Sequence, residues 1–218
     1  MTGRSGGLRV LIGAESLLDA EPAFRLIDRL SARDIAELGG LLLQAAELAT
    51  TPRLARQRVV TPAGVLAPLP SASSASAWLA SDATRFRTRL AAVAGARQWR
   101  VDAEQRELDH IADFTRGWDV FVLGCRLTHR LPGRVVLVSG EPVPEGETAR
   151  FARDIARSAG ADLTVLANDD RLPARLTRLP MAAVILDCAT APLPEPSRLR
   201  AIVDAARCPV IVMQGPSG

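Results

Sequence analysis

The chain has 218 residues, of which 48% are hydrophobic and 23% are charged, and it carries a formal net charge of +3. This balance excludes an intrinsically disordered chain, and no apolar stretch approaches the length of a membrane-spanning helix, so no membrane insertion is expected. Three Trp and five Phe are too few for base-stacking platforms, and the basic residues alternate with acidic ones, so nucleic-acid binding is not expected either.

Apolar runs and amphipathic segments alternate along the first half of the chain. The pattern predicts strands and helices in the following order: strand Leu8–Ile12, helix Ala23–Ile35, strand Leu41–Leu43, helix Ala77–Ala94, strand Gln98–Val101, helix Ala103–Thr115 and strand Trp118–Gly124. The strand Gln98–Val101 is expected to lie at an edge. Gly39 and Gly40 are expected to end the first helix before the next strand begins.

Two further features of the first half concern burial and order. The segment from about residue 50 to 76 is rich in Pro, Ala and Ser, which predicts a long irregular loop. The helix after it has four large apolar residues at helical spacing, and they are predicted to form its buried face: Trp78, Phe86, Leu90 and Val93.

The second half repeats the alternation. It predicts strand Arg134–Val138, helix Glu147–Ala159, strand Asp162–Ala167, helix Leu172–Leu179, strand Ala182–Asp187, helix Pro196–Ala206 and strand Cys208–Met213. Alternating strands and helices are typical of a parallel sheet covered by helices. We therefore predict an α/β fold of two similar units, residues 1–132 and residues 133–218, each a mainly parallel sheet flanked by helices, related by a pseudo-two-fold axis.

The first half lacks a counterpart of the closing strand. We expect the terminal strand Pro209–Val212 to join the contact between the units or to associate with another chain, because an apolar edge strand left bare invites pairing. The partner would be a different protein or a second copy in a homodimer.

Particular segments resemble the universal stress protein family. Val135–Glu141, Ala149–Ala156 and Gly160–Leu166 are similar to the opening strand, helix and strand of the family, and Cys208–Met213 is similar to its closing strand. Asp119–Gly124 resembles the fourth strand. The resemblance implies a diverged tandem-repeat member in stress response, with a Rossmann-like, adenine nucleotide alpha hydrolase-like fold.

Nucleotide-binding members of that family carry an Asp after the first strand and a glycine loop after the fourth. In the second half Ser139 stands where the Asp is expected, followed by Gly140, and the fourth strand continues into Asp187–Pro194 without a glycine. A phosphate loop needs glycine, because its backbone N–H groups must approach the anion closely. The resemblance thus implies a degenerate nucleotide site in the second half.

The first half retains more of the pattern: Gly13, Glu15 and Ser16 follow its first strand, and Gly124, Arg126 and Gly133 follow its fourth. Glu15 is the candidate for the family's acid, and Arg126 could pair with a phosphate. These six residues, with Ser139 and Gly140, are the candidate cofactor-binding residues. The main expectation is nevertheless a non-enzymatic regulatory or interaction module without cofactor, metal or catalytic residue. The alternative is a stress-response sensor that binds ATP or AMP with Mg²⁺ in the first-half cleft and hydrolyses it slowly at most.

Other reactive groups give weaker predictions. Three widely spaced cysteines, Cys125, Cys188 and Cys208, argue against a disulfide framework or a zinc site and fit a reducing cytoplasm, as does the absence of an apolar leader in Met1–Gly7. Cys125 precedes Arg126 and His129, so a stabilised thiolate is conceivable there, but a packing role is favoured because no carboxylate orients a base. His110 is read as a boundary side chain. Asp169 and Asp170 are read as a helix N-cap, with Mg²⁺ binding as the alternative.

Overall fold

A computed structural model describes residues 7–29, 35–43, 58–60, 64, 66–68, 72–106, 113, 115–125 and 133–214. The strands are β1 (Leu8–Ala14), β2 (Ile35–Leu43), β3 (Arg58–Val60), β4 (Leu66–Pro68), β5 (Gln98–Arg106), β6 (Val120–Leu123), β7 (Arg134–Ser139), β8 (Leu163–Ala167), β9 (Met181–Asp187) and β10 (Val210–Met213). The helices are α1 (Leu17–Arg29), α2 (Ala72–Ala94), α3 (Glu147–Ala159), α4 (Leu172–Leu176) and α5 (Pro196–Ala206).

Eight of these strands form a single sheet in the order β5-β2-β1-β6-β10-β9-β7-β8, and β3 pairs with β4 separately. All neighbours in the large sheet are parallel except β6 and β10, which are antiparallel. The first four strands of the order therefore run opposite to the last four. The carboxyl ends of β1 and β6 lie at what we call the first end of the sheet, and the carboxyl ends of β7 and β9 lie at the second end.

The strand order has the same form on both sides of β10. On one side it reads β2-β1-β6, and on the other β8-β7-β9, so in each set the first strand in the chain lies between its two successors. The strand that follows β1 in the chain, β2, lies on one side of it, and the later strand β6 lies on the other side. Strands β8 and β9 flank β7 in the same way. Each set thus has a topological switch point, between β1 and β6 and between β7 and β9, where open parallel sheets bind ligands.

Helices cover both faces of the sheet and make two cores. Helices α1, α2 and α3 pack on one face, where the rings of Phe24 and Phe86 lie 5.4 Å apart and join α1 to α2. Helices α4 and α5 pack on the other face through Leu172, Leu176, Leu199 and Ile202. Full burial of such side chains stabilises a fold by about 1.5 to 3 kcal/mol each.

The predictions for the first half need correction at Gly39 and Gly40, which lie inside β2. A Cβ on Gly39 would collide with the ring of Trp118, and one on Gly40 would lie 2.6 Å from the ring of Phe86. The two glycines therefore admit aromatic side chains from distant elements to the two faces of β2. The helix before them is also shifted, since α1 spans Leu17–Arg29 and Ile35 already belongs to β2.

Three more predictions for the first half are wrong in part. Residues 103–106 extend β5 and do not start a helix, although β5 is an edge strand as predicted. Within the expected loop, β3 and β4 pair and α2 already begins at Ala72. Trp78 is 62% exposed, whereas Phe86, Leu90 and Val93 are buried as predicted. From Ala77 onward, the first buried side chain of α2 is Phe86, and Trp78 lies about two turns before it on the exposed part of the helix.

The second half follows its predictions closely, with α3 and α5 confirmed to the residue. The terminal strand is the exception, because β10 lies inside the sheet with β6 on one side and β9 on the other. It therefore joins the two halves, as one alternative predicted, and the alternative of self-association through a bare edge of this strand is wrong. Among the described residues no strand lies between β6 and β7. None of the helices in the described ranges is long and apolar enough to span a membrane.

Candidate functional site

The candidate residues fall at two opposite ends of the sheet. Gly13, Glu15, Ser16 and Gly124 come together at the first end, beside the switch point of β1 and β6, whereas Ser139 and Gly140 lie at the second end, beside that of β7 and β9. Gly133 precedes β7 at the first end, and β10 and β9 separate it from β6, which is about 14 Å at ordinary strand spacing. Arg126 lies outside the described residues.

Gly124 allows a helix to approach the sheet. A Cβ at this position would lie 2.6 Å from the backbone oxygen of Asp19 and 3.0 Å from the Cα of Ala20, both in the first turn of α1. Its N–H donates to the backbone oxygen of Gly13 at 2.7 Å, which continues the ladder between β1 and β6. A Cβ on Gly13 would in turn lie 2.7 Å from the ring of Phe121. Both glycines thus have a packing role in this crevice.

The N-terminus of α1 closes the first crevice. The N–H of Leu17 donates to Oδ2 of Asp82 on α2 at 2.8 Å, and the N–H of Asp19 donates to Oγ of Ser16 at 3.2 Å. Ser16 Oγ donates back to Oδ2 of Asp19 at 2.5 Å, while Glu15 is exposed. A helix N-terminus attracts an anion through free N–H groups and its dipole. Here the N–H of Leu17 is bound by the Asp82 carboxylate, which places a negative charge at this helix N-terminus.

A buried carboxylate organises the second crevice. Asp187, at the end of β9, is 5% exposed. Its Oδ1 accepts hydrogen bonds from the Thr148 hydroxyl at 2.9 Å and the Ala189 N–H at 3.2 Å. Its Oδ2 accepts them from the hydroxyls of Thr190 at 2.9 Å and Ser139 at 3.5 Å. The carboxylate therefore ties β7, β9 and the first turn of α3 together through uncharged donors.

The loop after β9 lies across the end of β7. The hydroxyls of Ser139 and Thr190 are 3.1 Å apart, and Thr190 Oγ1 also accepts the N–H of Gly140 at 3.1 Å. The N–H of Glu141 donates to Ser139 Oγ at 3.1 Å. A Cβ on Gly140 would lie 2.6 Å from the backbone oxygen of Thr190. The backbone donors that follow β7 are thus bound to this chain's own hydroxyls.

Sequence reasoning found Ser139 and Gly140 but missed Thr148, Asp187 and Thr190 as their partners. One signal was present, because Ser139 and Asp187 each close an apolar strand with a polar side chain, and such ends meet at one end of a parallel sheet. The contributions of Thr148 and Thr190 depend on where α3 begins and how the loop after β9 turns, which spacing alone does not define.

The cysteines are poor nucleophiles in this fold. Burial, followed by the nearby Asp19, Asp204 and Glu15, raises the pKa of Cys125 to about 11. Burial and Asp187 raise the pKa of Cys188 to about 12, and burial raises the pKa of Cys208 further still. Since the thiolate is the reactive form, the packing role predicted for Cys125 is favoured over catalysis. His110 and His129 lie outside the described residues.

The acidic pair after β8 forms ion pairs. Asp169 Oδ1 accepts the N–H of Arg171 at 3.0 Å and Nη2 of Arg175 at 2.8 Å, and Asp170 pairs with Arg198 at 3.0 Å. The N-cap of α4 is Arg171. The predicted N-cap role of Asp169 and Asp170, which precede it, is therefore wrong. In the part of the chain that is described, no group of three His, Cys, Asp or Glu residues is arranged to hold a metal ion.

Comparison of the chain with known protein families finds no match, and comparison with curated proteins finds none. The resemblance to universal stress proteins therefore stays a prediction.

Proposed function

We propose that this protein is a non-enzymatic regulatory or interaction module, similar to universal stress proteins, whose two nucleotide sites have been replaced by internal contacts. The observation that carries the proposal is that groups of the chain itself form hydrogen bonds at both switch points. At the first end, the Asp82 carboxylate accepts the N–H at the N-terminus of α1. At the second end, the side chains of Ser139, Thr190 and Asp187 form hydrogen bonds with one another. Among the described residues, the N–H groups of Leu17, Gly140 and Glu141 at these crevices are bound to the chain's own side chains, in positions where a phosphate-binding site would need them free.

The strand order supports the idea of a tandem origin. The sets β2-β1-β6 and β8-β7-β9 match in order, they run in opposite directions, and their first helices α1 and α3 pack on the same face. A duplication related by a pseudo-two-fold axis normal to the sheet produces this arrangement, with β10 as the strand that joins the copies. β5 then has no counterpart, which accounts for the unequal lengths of residues 1–132 and 133–218.

An ATP or AMP sensor with Mg²⁺ is the second candidate function. It is favoured by the convergence of Gly13, Ser16 and Gly124 at the switch point of β1 and β6, where ligands bind in related architectures. It requires α1 to move, or Asp82 to release the N–H of Leu17, before a phosphate can enter. In both cases we place the protein in the cytoplasm, since its three cysteines are free thiols.

The test is thermal unfolding of the full chain with ATP, ADP and AMP, each with and without Mg²⁺. A ligand of about 10 μM Kd at about 1 mM stabilises the native state by about 2.7 kcal/mol. For a chain of this size that raises Tm by about 5 to 11 °C. We expect no shift with any nucleotide.

A reproducible shift would overturn the proposal in favour of the sensor. The Arg126→Ala and Asp82→Asn variants then locate the site. Loss of the shift in Arg126→Ala assigns the ligand to the first half, whereas a larger shift in Asp82→Asn shows that the carboxylate competes with phosphate for the N-terminus of α1.

A further inference from the structure

Strand β8 is the last strand of the sheet at the side opposite β5, and β7 is its one neighbour in the described residues. The N–H of Val135 donates to the backbone oxygen of Asp162 at 2.9 Å, which sets the register of the pair. In a parallel pair, alternate residues direct their N–H and C=O groups to the neighbouring strand. Leu163, Val165 and Ala167 therefore direct theirs away from β7, toward the open edge.

The residues of β8 itself include none of those that usually protect an edge strand. Its sequence, Leu-Thr-Val-Leu-Ala, contains no charged residue, proline or glycine, and Val165 is 39% exposed although it is apolar. Proteins ordinarily blunt such edges with charges, proline or bulges. The opposite edge strand, β5, carries arginine, aspartate and glutamate along its length and is protected in this sense.

One side chain reaches the open edge, and it leaves room for a partner. Arg175 Nη2 donates to the backbone oxygen of Ala167 at 2.9 Å and to Asp169 at 2.8 Å. A carbonyl oxygen has two lone pairs, so Ala167 can accept a second hydrogen bond. Among the described residues, no group forms a hydrogen bond with the outward N–H and C=O groups of Leu163 or Val165.

We propose that two copies of this chain associate through β8, antiparallel to each other about a two-fold axis at Val165. In this register Val165 faces Val165 of the second copy, and Leu163 faces Ala167. Each facing pair can exchange two backbone hydrogen bonds. Asp162 would face Asn168, so no two like charges lie opposite each other. A filament would instead require β8 of one copy to pair with β5 of the next. That pairing would place the charged residues of β5 beside the apolar residues of β8, so a closed dimer is favoured.

The partner is a second copy because this register pairs the outward N–H and C=O groups of the two strands and sets no like charges opposite each other. The inference does not depend on the proposed function, since nucleotide binding at the switch points would leave β8 unchanged. It replaces β10, whose edges are both used within the chain, as the strand through which a homodimer forms.

The test is the molar mass of the full chain in solution, measured by light scattering after gel filtration. We expect the wild-type protein to be a dimer and Val165→Arg to be a monomer, because two guanidinium groups would meet at the axis. Val143→Arg is the matched control, since Val143 is 73% exposed in the turn after β7, and it should remain a dimer. Unfolding curves of the three proteins separate loss of association from loss of folding.

A second variant tests the register independently of stability. Val165→Cys places two thiols across the axis, and glutathione disulfide should join them into a disulfide-linked dimer while being reduced to two molecules of glutathione. Val143→Cys should give no such product. A wild-type monomer, a dimer that survives Val165→Arg, or the absence of the Val165→Cys product would each overturn the proposal.

Discussion

The backbone N–H of Leu17 donates to the carboxylate of Asp82 at 2.8 Å, although the two residues lie 65 positions apart. This bond attaches the first turn of α1 to α2 and places a negative charge at the positive end of the α1 dipole. It is also the contact that closes the crevice between β1 and β6. In the proposed function, this interaction both stabilises the packing of α1 on α2 and takes an N–H group that a phosphate would otherwise bind.

We expect Asp82→Ala to destabilise the protein, because it removes the acceptor of an otherwise unpaired helix N–H. Loss of a capping acceptor costs about 1 kcal/mol, and Tm should fall by about 2 to 4 °C. Asp82→Asn keeps an oxygen acceptor and should recover part of this loss. Thr84→Ala is the control on the same helix, since its exposed hydroxyl bonds to its own helix at Ala80. An unchanged Tm in Asp82→Ala would contradict the role assigned to this carboxylate.

Gly124→Ala should also destabilise the fold, in this case through steric conflict. The new Cβ would lie 2.6 Å from a backbone oxygen of α1, so the helix must move away from the sheet. Such overpacking costs about 1 to 3 kcal/mol, measurable as a lower midpoint in urea. The control is Gly146→Ala, where nothing lies within 4 Å of the added Cβ and φ is −65°, so we expect only the smaller cost of alanine at the N-cap of α3. Equal losses in the two variants would show that close approach is not the function of Gly124.

The second half of the fold could be predicted from the sequence more fully than the first. Its strands are short apolar runs bounded by glycine, proline or acidic residues, and its helices α3 and α5 begin and end at local signals such as Gly160 with φ of 61°. In β2, by contrast, Gly39 and Gly40 have the local signature of a helix end. Their position in a strand depends on Trp118 and Phe86, which approach from distant parts of the chain.

The candidate site could be predicted only in part for a similar reason. The end of an apolar strand marks Ser139 as a candidate in the sequence. Its position beside Asp187 follows from the strand order, which depends on contacts between distant parts of the chain. No local pattern marks Asp82 as the partner of Leu17 or Thr148 as a partner of Asp187. Hydrogen bonds of this kind become visible when the relative placement of helices is known.

Asp187→Asn should destabilise the second half strongly, although the two side chains have nearly the same shape. One carboxylate oxygen becomes an NH₂ group that faces the donors now bound to it, such as the Thr148 hydroxyl and the Ala189 N–H. Leaving buried polar groups unpaired costs about 1 to 3 kcal/mol. The matched control is Asp170→Asn, whose side chain is 99% exposed in its pair with Arg198. We expect no measurable change there, because exposed ion pairs contribute little.

The result for Asp187→Asn is read from urea unfolding of both variants. A second variant, Thr148→Val, removes one donor and leaves the carboxylate with its other partners, so its loss should be smaller than that of Asp187→Asn. If Asp187→Asn were as stable as Asp170→Asn, the hydrogen bonds around Asp187 would not be holding β7, β9 and α3 together.

The cysteines predict how stability depends on alkaline pH. Folding raises the pKa of Cys125 from 9.0 to about 11 and that of Cys188 from 9.0 to about 12. Above pH 9 the unfolded chain loses thiol protons that the folded chain keeps, so the unfolded state binds fewer protons and stability falls as pH rises. The stabilisation is complete below pH 9 and is lost progressively as pH rises through 9 toward 11 and 12.

The composition makes this prediction clean to test, because the chain contains no Lys and no Tyr whose titration would overlap. The free energy of unfolding, measured in urea between pH 8 and pH 10.5, should decrease for the wild type. The decrease should be smaller in Cys125→Ala with Cys188→Ala, which retains only Cys208. Alkylation by iodoacetamide at pH 8 should be slow in the native protein and fast in urea, since the buried thiols stay protonated. Rapid native alkylation, or a pH slope that the double variant leaves unchanged, would show that the cysteines do not carry this alkaline sensitivity.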